Sequence, residues 1–255
     1  MKLGMPQLFE YDDLEDNFRL AKKLELDFIE FNMNFESCRQ GLFDDTIKNL
    51  VEKYGIGATL HFFDEADFGS YPEIVRGYLL LLDKYASLGA GFIKQVNIHL
   101  ISGPVVTIAG SKYYVYEKEY NRFTSRLLFN LKKARKICEK YGMNLVIENT
   151  ESVPHFMKKV YKELFHAEYR FCYDIGHDYV SNFIIEYMLN EMTLPFDEFH
   201  FHDAKNRNKC HLALGEGVLD LKYFKYLAET YHAYVVLEVK QERDLIKSVP
   251  YFRNL

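Results

Sequence analysis

The chain contains no tryptophan, no CxxC pair and no apolar run near the roughly 18 residues that a membrane-spanning helix needs. Its four cysteines, Cys38, Cys138, Cys172 and Cys210, are widely scattered, which reads as reduced thiols rather than a disulfide framework. The opening MKLGMPQLFEYDD is interrupted too often by polar residues to hold a signal-peptide core. A cytoplasmic location with no membrane partner is therefore expected. Positive charge is also short. With 32 Lys and Arg against 37 Asp and Glu, the net charge of −5 gives no general attraction to nucleic acid or anionic membrane. It does not exclude DNA binding by a local patch. A Gly-rich phosphate fingerprint is missing after the first apolar run, which argues against a dinucleotide-binding sheet. No linker, low-complexity tract or break in composition appears, and one domain over residues 1–255 is expected.

What is present is alternation. Short apolar runs begin at Lys2, Phe28, Gly57, Phe92, Asn144, Tyr169, Phe196 and Tyr234, and longer amphipathic stretches separate them. Near-continuous apolarity over four to seven residues fits strands buried on both faces, as parallel sheets require. Helical spacing is clearest at Leu14, Phe18, Ala21 and Leu24, behind Asp12 and Asp13 as caps, and helices are also expected over 117–141, 155–164, 179–192, 221–231 and 241–252. Glycines at 55, 89 and 142 mark helix-to-strand handovers. Repeated βα units in a chain of this length point to a single (β/α)₈ barrel, with an open doubly wound sheet as the alternative. The 20 Tyr and 21 Phe suit packing more readily than a substrate cleft.

The ends of the apolar runs carry the chemistry. The third run ends at His61, the fourth at His99, the fifth at Glu148 and the sixth at Asp174, with His177 three residues on. The seventh carries His200, His202 and Asp203; His211 follows in a loop, and Glu238 ends the eighth. A barrel gathers these ends at one mouth. Any one of them has an ordinary structural explanation, because a lone histidine beside a strand usually satisfies a neighbour's hydrogen bond. Together, several imidazoles and carboxylates in one partly buried mouth would repel and desolvate each other unless a divalent cation bound them. Nitrogen and oxygen donors without thiolate suit zinc, manganese, iron or cobalt.

The motifs IENT (147–150), YDIGH (173–177), HFHDAK (200–205), HLALGEG (211–217) and LEVK (237–240) resemble those of the xylose isomerase-like barrel superfamily. That superfamily includes sugar isomerases, sugar epimerases and endonuclease IV. The resemblance implies a metal centre at Glu148, Asp174, His200 and Glu238. His200 is matched because it heads the HxxDAK pattern, although His202, two residues on, can share its face. Endonuclease IV implies a second ion at His61, His99 and Glu148, and a third at His177 and His211. The third would need an Asp where this chain has Lys209, and a protonated lysine cannot ligate. The first strand also lacks that enzyme's His-containing, Gly-rich opening. Both departures favour the sugar-modifying relatives.

The resemblance then implies a metal-dependent isomerase or epimerase acting on a small sugar or sugar phosphate, with one to two ions, zinc or manganese first. Glu148 and Glu238 would move protons on and off carbon around a metal-stabilised enediolate, and His177 would orient a substrate oxygen. Lys205, Arg207 or Lys209 would hold a substrate phosphate or carboxylate. The alternative is an endonuclease IV-like phosphodiesterase acting on abasic DNA, in which nucleic acid becomes the partner. A barrel that only binds a ligand stands third. Segments 62–72 and 102–122 are long enough to cover the mouth, with Tyr113, Tyr114 and Tyr116 either stacking on substrate or packing. A homodimer is a common state for such barrels.

Overall fold

Each of the eight apolar runs folds as a strand of one closed, all-parallel barrel. The computed structural model describes residues 1–189, 191–206 and 208–255. In chain order the strands are β1 (Lys2–Pro6), β2 (Phe28–Asn32), β3 (Gly57–His61), β4 (Ile93–His99), a separate antiparallel hairpin of β5 (Val105–Ile108) and β6 (Ser111–Tyr114), then β7 (Asn144–Glu148), β8 (Arg170–Asp174), β9 (Phe196–Phe201) and β10 (Tyr234–Leu237). Around the barrel they run β1-β10-β9-β8-β7-β4-β3-β2. The open-sheet alternative is thereby excluded.

Helices cover the outside: α1 (Leu14–Lys23), α2 (Glu36–Phe43), α3 (Thr46–Tyr54), α4 (Pro72–Leu88), α5 (Val115–Lys118), α6 (Tyr120–Lys140), α7 (Met157–His166), α8 (Ile175–Val180), α9 (Ile184–Leu189), α10 (Leu221–Thr230) and α11 (Glu242–Arg253). In α1 the Asp13 carboxylate accepts the Glu15 N–H at 2.8 Å, and Leu14, Phe18 and Ala21 are buried against the sheet, as their spacing predicts. The helix expected over 179–192 is not continuous. Asn182 and Phe183 adopt left-handed φ values of 64° and 55°, and the buried Asp178 carboxylate accepts from Ile185 N and Glu186 N at 2.8 and 2.9 Å. That carboxylate starts α9 as a new helix instead of a continuation; residue 190 lies outside the described set. The helix expected over 117–141 is likewise divided at Glu119, between α5 and α6. Segment 36–54, where periodicity singled out nothing, forms α2 and α3. No helix among the described residues is long and apolar enough to cross a membrane.

Polar side chains also fill the inside of the barrel. Gln95 of β4 donates to Glu198 of β9 at 2.9 Å, and His200 of β9 lies 3.2 Å from Glu30 of β2. Neither strand pair is adjacent, so both contacts cross the interior.

Candidate metal centre

Register brings the motif residues together. His99 pairs with Glu148 across β4 and β7, and Asp174 pairs with His200 across β8 and β9. Glu148, Asp174 and His200 are fully buried and Glu238 is nearly so. His200 Nδ1 lies 3.3 Å from Glu148 Oε1, 3.4 Å from Glu238 Oε2 and 4.0 Å from Asp174 Oδ2. These same four atoms have no hydrogen-bond partner among the described residues. Leaving a buried charged oxygen unpaired costs several kcal/mol, so three such oxygens around one imidazole nitrogen are a strong mismatch for protein atoms alone. Four donors of O,O,N,O type converging within 4.8 Å of one another suit a divalent cation.

The other oxygen of each carboxylate is already satisfied. Glu148 Oε2 accepts from Asn97 Nδ2 and lies 3.2 Å from His61 Nε2. Asp174 Oδ1 accepts the His177 N–H at 2.6 Å and faces His202 Nε2 at 3.1 Å. Glu238 Oε1 accepts from Lys240 Nζ. Each carboxylate thus turns one oxygen to the protein and one to the common point, which is how surrounding groups orient metal ligands.

Four further histidines share one orientation. Nδ1 of His61 faces the Phe62 carbonyl at 2.9 Å, that of His99 the Asp64 carbonyl at 3.3 Å, that of His177 the Asn149 carbonyl at 3.1 Å and that of His211 the Glu238 carbonyl at 3.2 Å. A carbonyl only accepts, so Nδ1 carries a proton in each, and Nε2 is the atom turned to the mouth. Nε2 of His61 and His99 lie 3.2 and 3.8 Å from Glu148 oxygens.

Electrostatics follows from this crowding. Burial resists ionising Glu148, but His200, His99 and His61 hold its carboxyl well below the usual range. Burial likewise opposes Glu238, and Lys240, His200 and His211 outweigh it. His61 is driven up to about 10 against its own burial, mainly by Glu148. His200 is raised well above its ordinary value, burial being outweighed by Cys172, Glu148, Glu30 and Glu238. His211 goes the other way, to about 4, through burial and the neighbouring His202.

A profile of the "xylose isomerase-like TIM barrel" family matches residues 18–255. The chain belongs to that family. Among solved structures, a D-tagatose 3-epimerase-like protein superposes with a TM-score of 0.75 at 18% identity, covering 100% of this chain and 96% of that one. The 3-keto-D-glucoside 4-epimerase YcjR of E. coli gives 0.72 at 14% identity, with 100% of both chains covered. The IOLI protein with a bound zinc atom gives 0.67 at 16%, covering 100% and 94%. At these identities the likeness is one of fold.

Within this family barrel, the motif residues divide into those facing the centre and those holding loops. Asn149 of the IENT motif brackets the ends of β7 and β8, donating to Asp174 O at 2.8 Å and accepting from Asp174 N at 2.9 Å. Asp203 is buried and accepts four backbone N–H groups: Ala204 at 2.9 Å, Gly215 at 3.0 Å, Gly217 at 2.8 Å and Leu219 at 3.2 Å. A Cβ on Gly217 would stand 2.0 Å from Asp203 Oδ1, so the DAK and LGEG segments are two halves of one turn.

Two cavities of about 560 and 420 Å³ open at the mouth and share Asn32, His61, Asp64, Glu238 and Lys240 as walls. Lys205 and Lys209, expected to bind a substrate anion, are exposed on the loop after β9, where the Lys205 N–H donates to Lys209 O at 2.9 Å. Neither lines these cavities among the described residues, and Arg207 lies outside that set. The lysine in their walls is Lys240, which sequence reading left without a role. Tyr116 is buried, stacked on Phe123 at 4.2 Å with its hydroxyl on Asp67, and so is a packing residue. Tyr114 packs on Phe156, while Tyr113 is exposed on the β5–β6 hairpin. The aromatic pair in the cavity wall is instead Phe9 and Phe35, 5.4 Å apart. Sequence reading also missed Glu30, Gln95, Asn97 and Glu198. The available signal was a charged or amide residue inside an apolar strand run.

Proposed function

We propose that the protein is a metal-dependent sugar isomerase or epimerase, with Glu148, Asp174, His200 and Glu238 as ligands of one divalent ion, zinc or manganese. The observation that carries this reading is the convergence of their four unpartnered buried atoms. The epimerase names among the structural neighbours and the zinc of the IOLI protein support it. A bound divalent cation supplies Lewis-acid charge beside adjacent oxygens of a sugar, which lowers the cost of forming a carbanion at the neighbouring carbon.

The chain's own residues do the rest. Glu148 lies on β7 and Glu238 just beyond β10, on either side of the His200 strand in barrel order, and in this reading each serves a different face of the substrate. Both carboxyls are held ionised, which suits a base: one takes the proton from carbon and later gives it up to solvent, and the other, once it has taken a proton from solvent, delivers it to the opposite face. His177 stands at the same wall to orient a substrate oxygen, and Phe9 with Phe35 offers an apolar surface for a sugar ring. The test is metal-dependent exchange of a sugar's carbon-bound hydrogen with deuterium from solvent. Glu148→Gln and Glu238→Gln should each lower exchange by about 10²–10⁴-fold, the usual contribution of a general acid or base. Full exchange in either variant removes that residue from the chemistry.

One observation favours a second reading, phosphodiester hydrolysis with a second ion. His61 and His99 both point Nε2 at Glu148 with Nδ1 anchored on carbonyls, an arrangement a one-ion epimerase does not require. Counting ions on purified protein separates the two: one supports sugar chemistry, and two with cleavage of abasic DNA supports hydrolysis.

A further inference from the structure

The group at the mouth whose role is least obvious is His202. It is fully buried, and a nitrogen of its ring lies within 4.8 Å of nitrogens of His177 and His211, which makes a three-histidine ion site the immediate reading. Its hydrogen bonds contradict that reading. His202 Nδ1 receives the backbone N–H of His211 at 2.8 Å, so it carries a lone pair already in use. The Asp203 carbonyl is 3.5 Å from the same nitrogen, too far to compete. With Nδ1 unprotonated, the neutral ring carries its proton on Nε2, and that N–H points at Asp174 Oδ1, 3.1 Å away. Neither nitrogen is free to bind an ion.

The surroundings hold the ring in this pose. A Cβ on Gly176 would lie 1.9 Å from His202 Cε1, so the ring rests directly on the glycine backbone at the start of α8. On its other face it stacks on His211 at 4.0 Å, and His211 adopts a left-handed φ of 53°, uncommon for a non-glycine residue, in the segment that delivers its N–H to His202.

We propose that His202 is a positioning residue: it fixes Asp174 through Oδ1 so that Oδ2 faces the metal centre, and it ties the His211 loop to that carboxylate without ligating an ion itself. This rests on the four-residue centre proposed above, not on the sugar chemistry. It also gives the glycine of YDIGH a purpose, because a side chain there would displace the ring.

The test titrates metal-stripped protein with Co²⁺, reading affinity and stoichiometry from the visible absorption band, in wild type, His202→Leu and His202→Gln. Glutamine places an amide N–H near the position of Nε2, and leucine offers no donor. Expected are an unchanged number of bound ions in both variants, about 10–100-fold weaker binding in His202→Leu, and recovery of most of that loss in His202→Gln. A ligand role predicts instead that both variants lose one ion while the remaining sites keep their affinity, and that result overturns the proposal. Should His202→Leu not fold, imidazole ¹H–¹⁵N spectra of the wild type decide. The Nε2–H form of His202 should persist on adding Zn²⁺, and loss of that proton refutes it. If the wild type binds no Co²⁺, the centre itself is wrong; unchanged affinity in His202→Leu sinks only the positioning role.

Discussion

Binding of a divalent ion should release a proton, and its affinity should climb with pH. His200 is raised well above its ordinary range, so in metal-free protein near pH 7 its imidazole is a cation between Glu148, Glu238 and Glu30. A cation cannot donate the Nδ1 lone pair to an ion. Occupying the four-residue centre therefore displaces one proton from His200, while Glu148 and Glu238 are already ionised and release none. The sign follows directly: a displaced proton makes binding weaker in acid. One proton per ion means about tenfold in affinity, or about 1.4 kcal/mol, for each pH unit below the imidazole's metal-free pKa. Over about pH 6 to 8 the affinity should therefore rise with pH. A second ion at His61 and His99 would displace another proton, because His61 sits at about 10. Calorimetric titration with Mn²⁺ in two buffers of different ionisation enthalpy measures the proton count directly. Binding heat independent of buffer, with affinity flat over that pH range, would show that His200 is neutral without the ion and would refute the electrostatic argument.

Other outcomes follow from individual contacts. Asp203→Ala leaves four inward N–H groups without an acceptor; at about 1–3 kcal/mol each, and less than additively, urea denaturation should show a loss of about 4 kcal/mol or more. A loss below about 1 kcal/mol would mean that water replaces the carboxylate there. Lys240→Gln removes the cation that most lowers the Glu238 carboxyl, so the acid limb of the kcat/KM profile should move to higher pH, and an unmoved limb argues against Glu238 acting ionised. Because Lys240 is half-exposed, solvent screening keeps this effect modest.

Strand-end positions of the candidate metal-centre residues were legible because a charged side chain that closes an apolar run stands out in a strand buried on both faces. Glu148, Asp174 and Glu238 interrupt apolar runs in this way. Glu30 and Glu198 interrupt runs too, yet nothing local distinguishes a carboxylate crossing the barrel interior from one turned to solvent. The break between α8 and α9 was illegible for a similar reason. It depends on Asp178 capturing two N–H groups seven and eight residues ahead, which helical periodicity does not encode.

By itself, then, the sequence determined the barrel and the residues delivered to its mouth, since both follow from hydrophobic period and from chain order around a closed sheet. Only the tertiary structure decided which atom of each residue faces the centre: Oδ2 and not Oδ1 of Asp174, Nδ1 of His200, and neither nitrogen of His202. Those choices are made by partners on other strands and loops, among them Asn97, Lys240 and the His211 N–H. A side chain's rotamer and tautomer are set by whatever packs against it, and chain spacing does not record that.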